Sequence, residues 1–269
     1  MEIAPGIHVI PTELDIKLGT FAPRIYLVAA GEGAFIDSGY GNEDLANCLL
    51  DYAISVEGVK PSYIIVTHAH PDHISGAMRL VSKSGAKLVL HSMDKTDLHV
   101  DKTVEDGDII SLDGIDLEIV HTPGHNPGHI CIYVRNERIM FTGDHVLAER
   151  TTALQPPWGD MAQYINSLKK LLSYDIDLML PAHGPFITQP KKRLEELIRH
   201  RLEREEQVIT LVHQGKGTTE ELVAEIYPSL SGFLYQVAKG QISAHLVKLE
   251  QEGKALSVGE GESARYTMN

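Results

Sequence analysis

Cysteine is scarce. Cys48 and Cys131 are the only two in 269 residues and lie far apart, so a disulfide framework is not what holds this chain together, and both read as reduced, packed thiols. Long apolar runs are missing too: nothing approaches the roughly 20 residues a bilayer-spanning helix needs. The N-terminal Met1-Glu2-Ile3-Ala4-Pro5 lacks the basic and apolar blocks of a secretory signal. A cytoplasmic location away from membranes is therefore expected. Positive charge is the third deficit. With 24 Lys and Arg against 37 Asp and Glu, the formal net charge is −13, which disfavours long-range attraction to nucleic acid or anionic lipid. No G-x-S-x-G stretch occurs, so a serine nucleophile elbow is excluded. Internal repeats and low-complexity tracts are absent as well. What remains is 43% hydrophobic and 23% charged, ordinary for a globular protein with one large domain and a small appendage.

Against that background one stretch stands out, Thr67-His68-Ala69-His70-Pro71-Asp72-His73. Three imidazoles and a carboxylate fall within six residues, directly after the apolar run Ile64-Ile65-Val66. Each would lose hydration on burial and need a partner to compensate. A divalent metal is the partner that accounts for all of them. Three further β-segments end in Gly/Pro-rich loops that carry a metal-competent side chain. These loops hold His125 (in Thr122 to His129), Asp144 (in Thr142 to His145) and His183 (in Pro181 to Pro185). Glycine and proline allow the tight turns that present such side chains from one edge of a sheet.

The surrounding pattern alternates strand and helix. Ile25 to Val28 and Ala34 to Ile36 flank Gly31-Glu32-Gly33 as a hairpin, and Leu45, Leu49 and Leu50 mark a helix to about Ile54. A buried strand runs from Tyr63 to Val66. Helical pattern follows from about Asp72 to Gly85, then a strand from Lys87 to Leu90. Asp108 to Leu112 pairs with Ile115 to Val120 across Asp113-Gly114, and Ile130 to Val134 with Arg138 to Phe141. A helix spans about Met161 to Leu172, and a short strand Leu178 to Leu180. Past Pro190 the character changes. Lys191 to Gly215 reads as one long amphipathic helix, Thr218 with Glu221 as a capping box, and Ile242, Leu246 and Leu249 as a helix stopped by Gly253. Ala255 to Val258 and Ala264 to Met268 then form a terminal hairpin around Gly259-Glu260-Gly261-Glu262-Ser263. Helices followed by a β-wing suggest a winged helix-turn-helix. Domain boundaries are thus expected at 1–190 for a catalytic domain, 191–216 for a connecting helix and 217–269 for a winged-helix-like domain.

The order His68-x-His70-x-Asp72-His73, then His125, Asp144 and His183, resembles the metallo-β-lactamase-fold hydrolases. That resemblance covers about residues 1–190 and implies an α/β fold, an αββα sandwich. Carried over, it implies that His68, His70 and His125 hold one metal and that Asp72, His73 and His183 hold the second. Asp144 bridges the two, and Asp72 and Asp144 are the carboxylates at the reacting centre. Asp37 resembles the carboxylate that orients an imidazole from behind. Two dications roughly 3.5–4 Å apart can share a water and lower its pKa, so a metal-bridging hydroxide is the expected nucleophile. Zinc suits these donors best, with manganese or iron as alternatives.

Within the superfamily, the bridging aspartate differs from the second site of the commonest true β-lactamases, which uses cysteine. The 57 residues between His125 and His183 are too few for the inserted domain of the long RNA-processing members. Residues 217–269 hold 4 Lys and Arg against 7 Asp and Glu, unlike the basic C-terminal cofactor site of the glutathione-thioester hydrolases. The whole chain is most similar to the β-lactamase-like-protein-2 group. It shares Gly143-Asp144-His145-Val146-Leu147, Tyr164-x-x-Ser167-Leu168, His200-Arg201-x-x-Arg204-Glu205 and Leu246-x-x-Leu249-Glu250-x-Glu252-Gly253 with that group. An animal branch cuts single-stranded RNA, and fungal relatives release thioester-bound polyketides.

The leading expectation is a hydrolase of a small ester, thioester, lactone or phosphoester. The alternatives are an endoribonuclease on single-stranded RNA and a non-enzymatic ligand sensor. Duplex DNA is not an expected partner, because the Ile242 to Glu252 helix offers only Lys248 as a cation; a homodimer is a possible assembly. Lys191-Lys192-Arg193 and Arg199-His200-Arg201 read as a solvated basic face. Among the remaining histidines, His121 and His129 flank the His125 loop, His145 is a candidate for the cleft and His91 for its rim. His8, His99, His213 and His245 read as surface or packing residues. Trp158 is a candidate pocket wall.

Overall fold

A computed structural model describes residues 1–12, 22–259, 261 and 264–269. Glu260, Glu262 and Ser263 of the expected terminal turn lie outside the described residues. By contacts the chain divides into two compact units. The first comprises 1–122, 128–150 and 174–191; the second comprises 123–127, 151–173 and 192–269.

Two sheets build the first unit. The larger has seven strands in sequence order: β1 (Glu2–Ala4), β2 (Ile7–Ile10), β3 (Ile25–Ala30), β4 (Glu32–Ile36), β5 (Pro61–Ile65), β6 (Lys87–His91) and β7 (Lys102–Val104). Pairing is antiparallel from β1 to β4 and parallel from β4 to β7. The smaller sheet is an antiparallel meander of β8 (Ile109–Leu112), β9 (Ile115–His121), β10 (Ile130–Val134) and β11 (Ile139–Gly143). Strand β12 (Leu178–Pro181) adds in parallel to β11.

The near-continuous apolar runs follow from burial on both faces. Successive side chains on a strand point to opposite sides. Tyr26, Val28, Ile36, Ile65 and Val89 join Ile119, Ile132, Phe141 and Leu180 of the second sheet in one core. Ile25, Leu27, Phe35, Ile64 and Leu88 face the other way, against Leu45, Leu49 and Leu80. Those leucines lie on α1 (Glu43–Glu57) and α3 (Ala77–Ser84). Asn42 caps α1 by accepting from the Leu45 N–H at 2.7 Å, a contact worth about 1 kcal/mol. The helical pattern expected from Asp72 to Gly85 is broken into α2 (Pro71–Ile74) and α3. The break falls at Ser75-Gly76, where a Cβ on Gly76 would sit 2.3 Å from Ser38 O.

The second unit holds α4 (Met161–Leu171), most of α5 (Pro190–His213), α6 (Thr219–Ile226), α7 (Gly232–Gln251) and the hairpin of β13 (Ala255–Val258) and β14 (Arg265–Met268). Thr218 and Glu221 form the expected capping box at α6. Val208, Val212, Leu222, Ile242, Leu246, Leu249 and Tyr266 form the core of this helices-plus-wing arrangement. Two expectations are corrected here. Helix α7 begins ten residues before Ile242, and its first turns expose Phe233 and Leu234 instead of continuing the buried stripe. Arg201 does not belong to a solvated basic face: it is 2% exposed.

Candidate metal centre

The His-rich stretch follows β5, bends at Thr67 and His68, and reaches His70, the N-cap of α2, with Pro71 at the first helical position. Proline loses nothing there, since that N–H has no helical partner, and its fixed φ starts the turn. One helical turn then places Asp72 and His73 beside the strand end.

Asp37, one residue past β4, anchors this geometry. Its Oδ1 accepts from the Thr67 backbone N–H at 2.7 Å and its Oδ2 from His73 Nδ1 at 2.8 Å; Thr67 Oγ1 lies 3.0 Å from both oxygens. Asp37 is 2% exposed and sits in the left-handed region at φ 63°, a conformation aspartate tolerates better than most residues. With Nδ1–H donated to Asp37, His73 presents Nε2 forward.

His183, past β12, behaves likewise: its Nδ1 donates to Ala22 O at 3.2 Å. Its Nε2 lies 3.2 Å from Asp72 Oδ2 and 3.4 Å from Asp144 Oδ1. His73 Nε2 is 3.7 Å from a carboxylate oxygen of each aspartate, fully buried and without a hydrogen bond. On the other flank, His68 Nε2 and His70 Nδ1 converge at 2.8 Å. Ligand atoms at about 2.0–2.2 Å around a four-coordinate ion stand roughly 3.3–3.6 Å apart, the spacing found around Asp72 and Asp144. Ligating atoms of His68, His73 and Asp144 all lie within 4.8 Å of one another, as do those of Asp72, His73 and His183. Imidazole and carboxylate donors aimed at common points, with a buried ring nitrogen that no protein group satisfies, fit divalent ions.

The electrostatics agree. Burial disfavours a charged His73 ring, yet Asp37 and Asp144 outweigh it and raise its pKa well above the ordinary value. For His183 burial again opposes, and the hydrogen bond to Asp72 and the charge of Asp144 prevail, raising it too. Asp72 is raised by burial but more strongly lowered, first by its contact with His183. The carboxylates thus demand positive charge between them, supplied by protons when no cation is bound.

Behind Asp144 stands His129, fully buried. Its Nδ1–H donates to Thr122 Oγ1 at 2.9 Å, and its Nε2 accepts the Asp144 backbone N–H at 3.2 Å. Gly143 precedes, at φ 48°; a Cβ there would lie 2.6 Å from His129 Nε2. His125 belongs to the second unit, where its Nδ1–H donates to Ala153 O at 2.8 Å.

Residues 18–183, well over half the chain, match the metallo-beta-lactamase superfamily. The chain belongs to that superfamily. Residues 218–263 match the beta-lactamase associated winged helix domain, so the fold is an α/β metallo-β-lactamase fold with a C-terminal winged helix, and the chain is a hydrolase of this superfamily. A "Beta-lactamase-like protein 2 homolog" from Caenorhabditis elegans is 27% identical, covering 93% of this chain and 82% of that protein. The "Atrochrysone carboxyl ACP thioesterase dmxR1" of Cryptosporiopsis sp. is 28% identical, covering 94% and 82%. Among solved structures, a metallo-beta-lactamase family protein from Thermus thermophilus superposes with TM-score 0.80 at 22% identity over the whole of both chains.

Superfamily membership leaves several histidines to be placed. His145 is fully buried with its ring 5.5 Å from His129, so it packs behind the centre instead of facing a cleft. His91 is buried and stacked on His121 at 3.9 Å, not at a rim. His245 is fully buried beside Glu205. Trp158 is 57% exposed. Two residues escaped sequence reasoning as contributors. Thr67 and His129 act through the backbone and rings they hold, and only spatial neighbours reveal that.

Proposed function

We propose that the protein is a dinuclear metallohydrolase cleaving a small ester or thioester. In this reading His68, His70 and His125 would hold one ion, Asp72, His73 and His183 would hold the other, and Asp144 would serve both. The two ions would supply Lewis acidity and lower the pKa of a shared water. The chain's own contribution is orientation. Asp37 and Ala22 O fix the tautomers of His73 and His183, and the Thr122–His129 pair fixes Asp144. Asp72 and Asp144 supply the negative charge that binds two dications, and zinc suits the donors, with manganese or iron as alternatives; a di-iron-bound relative with TM-score 0.55 and 28% identity bears on iron.

The observation that carries the reading is the convergence of His73 and His183 Nε2 with the oxygens of Asp72 and Asp144 at 3.2–3.7 Å. Thioester and ester substrates are favoured by two relatives named as acyl-carrier thioesterases. The single-stranded RNA reading loses support because Arg201, one cation of the basic helix, is buried. No helix among the described residues is long and apolar enough to cross a membrane.

The test is a substrate panel on protein of measured metal content: acyl thioesters, esters, lactones, phosphoesters and single-stranded RNA. Turnover of the acyl substrates is expected, with loss by about 10³-fold or more in His70→Ala and Asp144→Ala, on the order of removing an essential metal group. Metal-dependent cleavage of RNA alone, or turnover indifferent to both substitutions, refutes the proposal.

A further inference from the structure

Within the second unit, a buried polar network converges on one irregular loop. Residues 151–155 have no regular secondary structure, yet Thr152 and Leu154 are 2% and 1% exposed. The Thr152 carbonyl accepts two hydrogen bonds, from Arg201 Nη2 on α5 and from Gln241 Nε2 on α7, each 2.7 Å long. Arg201 Nη1 donates in turn to Gln241 Oε1 at 2.7 Å, closing a three-membered ring of contacts, and the guanidinium lies 5.1 Å from the Tyr164 ring centroid. The next carbonyl along the chain, Ala153 O, accepts from His125 Nδ1 at 2.8 Å.

Burying a guanidinium beside neutral acceptors is unfavourable unless the geometry is well satisfied. The network nonetheless spends a buried arginine and a buried glutamine on a single peptide carbonyl. The clamp holds the Thr152–Ala153 peptide plane, and so one side of Ala153, whose own carbonyl in the adjoining peptide faces His125. Ala153 O selects the His125 tautomer protonated at Nδ1 and directs the ring. A ligating imidazole commonly donates its other nitrogen's proton to a carbonyl or carboxylate, and disturbing that partner weakens metal binding about 10–100-fold.

We infer that Arg201 and Gln241 are positioning residues that act through Thr152 and Ala153 to present His125 Nε2 to a metal ion. The C-terminal helices then contribute to the competence of a ligand about 76 residues upstream of Arg201. This rests on the reading of His125 as a ligand.

The experiment uses full-length protein loaded with cobalt(II), whose d–d absorption reports coordination. Arg201→Met, Gln241→Met, Arg201→Lys, His125→Ala and wild type are titrated with a chelator while cobalt per chain is measured. Folding is followed by circular dichroism. Folded Arg201→Met and Gln241→Met should each hold one of two cobalt ions about 10–100-fold more weakly and show an altered d–d band. Arg201→Lys should recover part of both. If His125→Ala retains both ions with the wild-type spectrum, the ligand reading itself fails, and this inference with it. If His125→Ala loses one ion while folded Gln241→Met keeps wild-type affinity and spectrum, the ligand reading stands and the positioning inference is overturned. Should Arg201→Met fail to fold, Gln241→Met carries the test alone.

Discussion

Changing Asp37 to asparagine alters one atom of a buried carboxylate and tests the orientation of the centre directly. The amide oxygen can still accept from the Thr67 N–H, now 2.7 Å from Oδ1. Its NH2 group must then occupy the place of Oδ2, 2.8 Å from His73 Nδ1. Two donors cannot face each other at that distance. The ring resolves the conflict by moving its proton to Nε2, the nitrogen that lies 3.7 Å from Asp72 and from Asp144. A protonated Nε2 cannot bind a cation. Metal affinity at the Asp72, His73 and His183 site should drop about 10–100-fold, or about 1.4–2.7 kcal/mol at 1.4 kcal/mol per tenfold. In metal-free protein the same change breaks a buried charged pair, for which about 3–5 kcal/mol is typical. Metal per chain during chelator titration measures the first effect, and urea denaturation of metal-free protein the second. An Asp37→Asn protein that binds both ions with wild-type affinity would refute the argument that Asp37 sets the His73 tautomer.

Three other outcomes follow from the same geometry. His73 and His183 are raised in the metal-free fold, so their stabilising contribution is full below the ordinary histidine pKa and disappears as pH rises through the raised values. Metal-free protein should therefore lose stability on going from about pH 6 upward, and metal uptake should release protons, measurable as buffer-dependent heat in titration calorimetry. Gly143→Ala places a Cβ against His129 at a positive φ, so it should cost more than about 1 kcal/mol in thermal denaturation and lower metal occupancy. Glu205 is lowered to about 2, burial being outweighed by its contacts with His245 and Lys248; its contribution is present at neutral pH and is lost as pH falls through about 4.5 to 2. Glu205→Gln should then unfold more readily at pH 7, and the difference from wild type should vanish near pH 2.

The loops that converge in the candidate centre were legible because their imidazoles and carboxylates are concentrated in sequence and repeated at strand ends. His68 to His73 supplies the concentration, and Asp144 and His183 follow β11 and β12 in turn-rich contexts. Strand faces were readable for the same reason: Ile25 and Leu27 against Tyr26 and Val28 alternate between two cores. What stayed hidden depends on partners distant in the chain. His129 looks like any histidine until Asp144 is found on its Nε2. Arg201 reads as a surface cation because a helix face crowded with charge carries no mark of which one turns inward. The early start of α7 was obscured because its first turns point Phe233 and Leu234 outward and so carry no buried stripe.

The division of the chain bears on how such a protein can be taken apart. On the sequence, the two matched families occupy 18–183 and 218–263 and look like beads in series. In three dimensions the second unit also claims 123–127 and 151–173. No single cut separates the units. A chain ended at residue 190 would keep α4 and the His125 loop but lose every helix packed with them in that unit. A cut after residue 190 therefore divides the second unit, and a recombinant fragment spanning only the first matched family should be an incomplete folding unit, seen as a lower denaturation midpoint than that of the full chain.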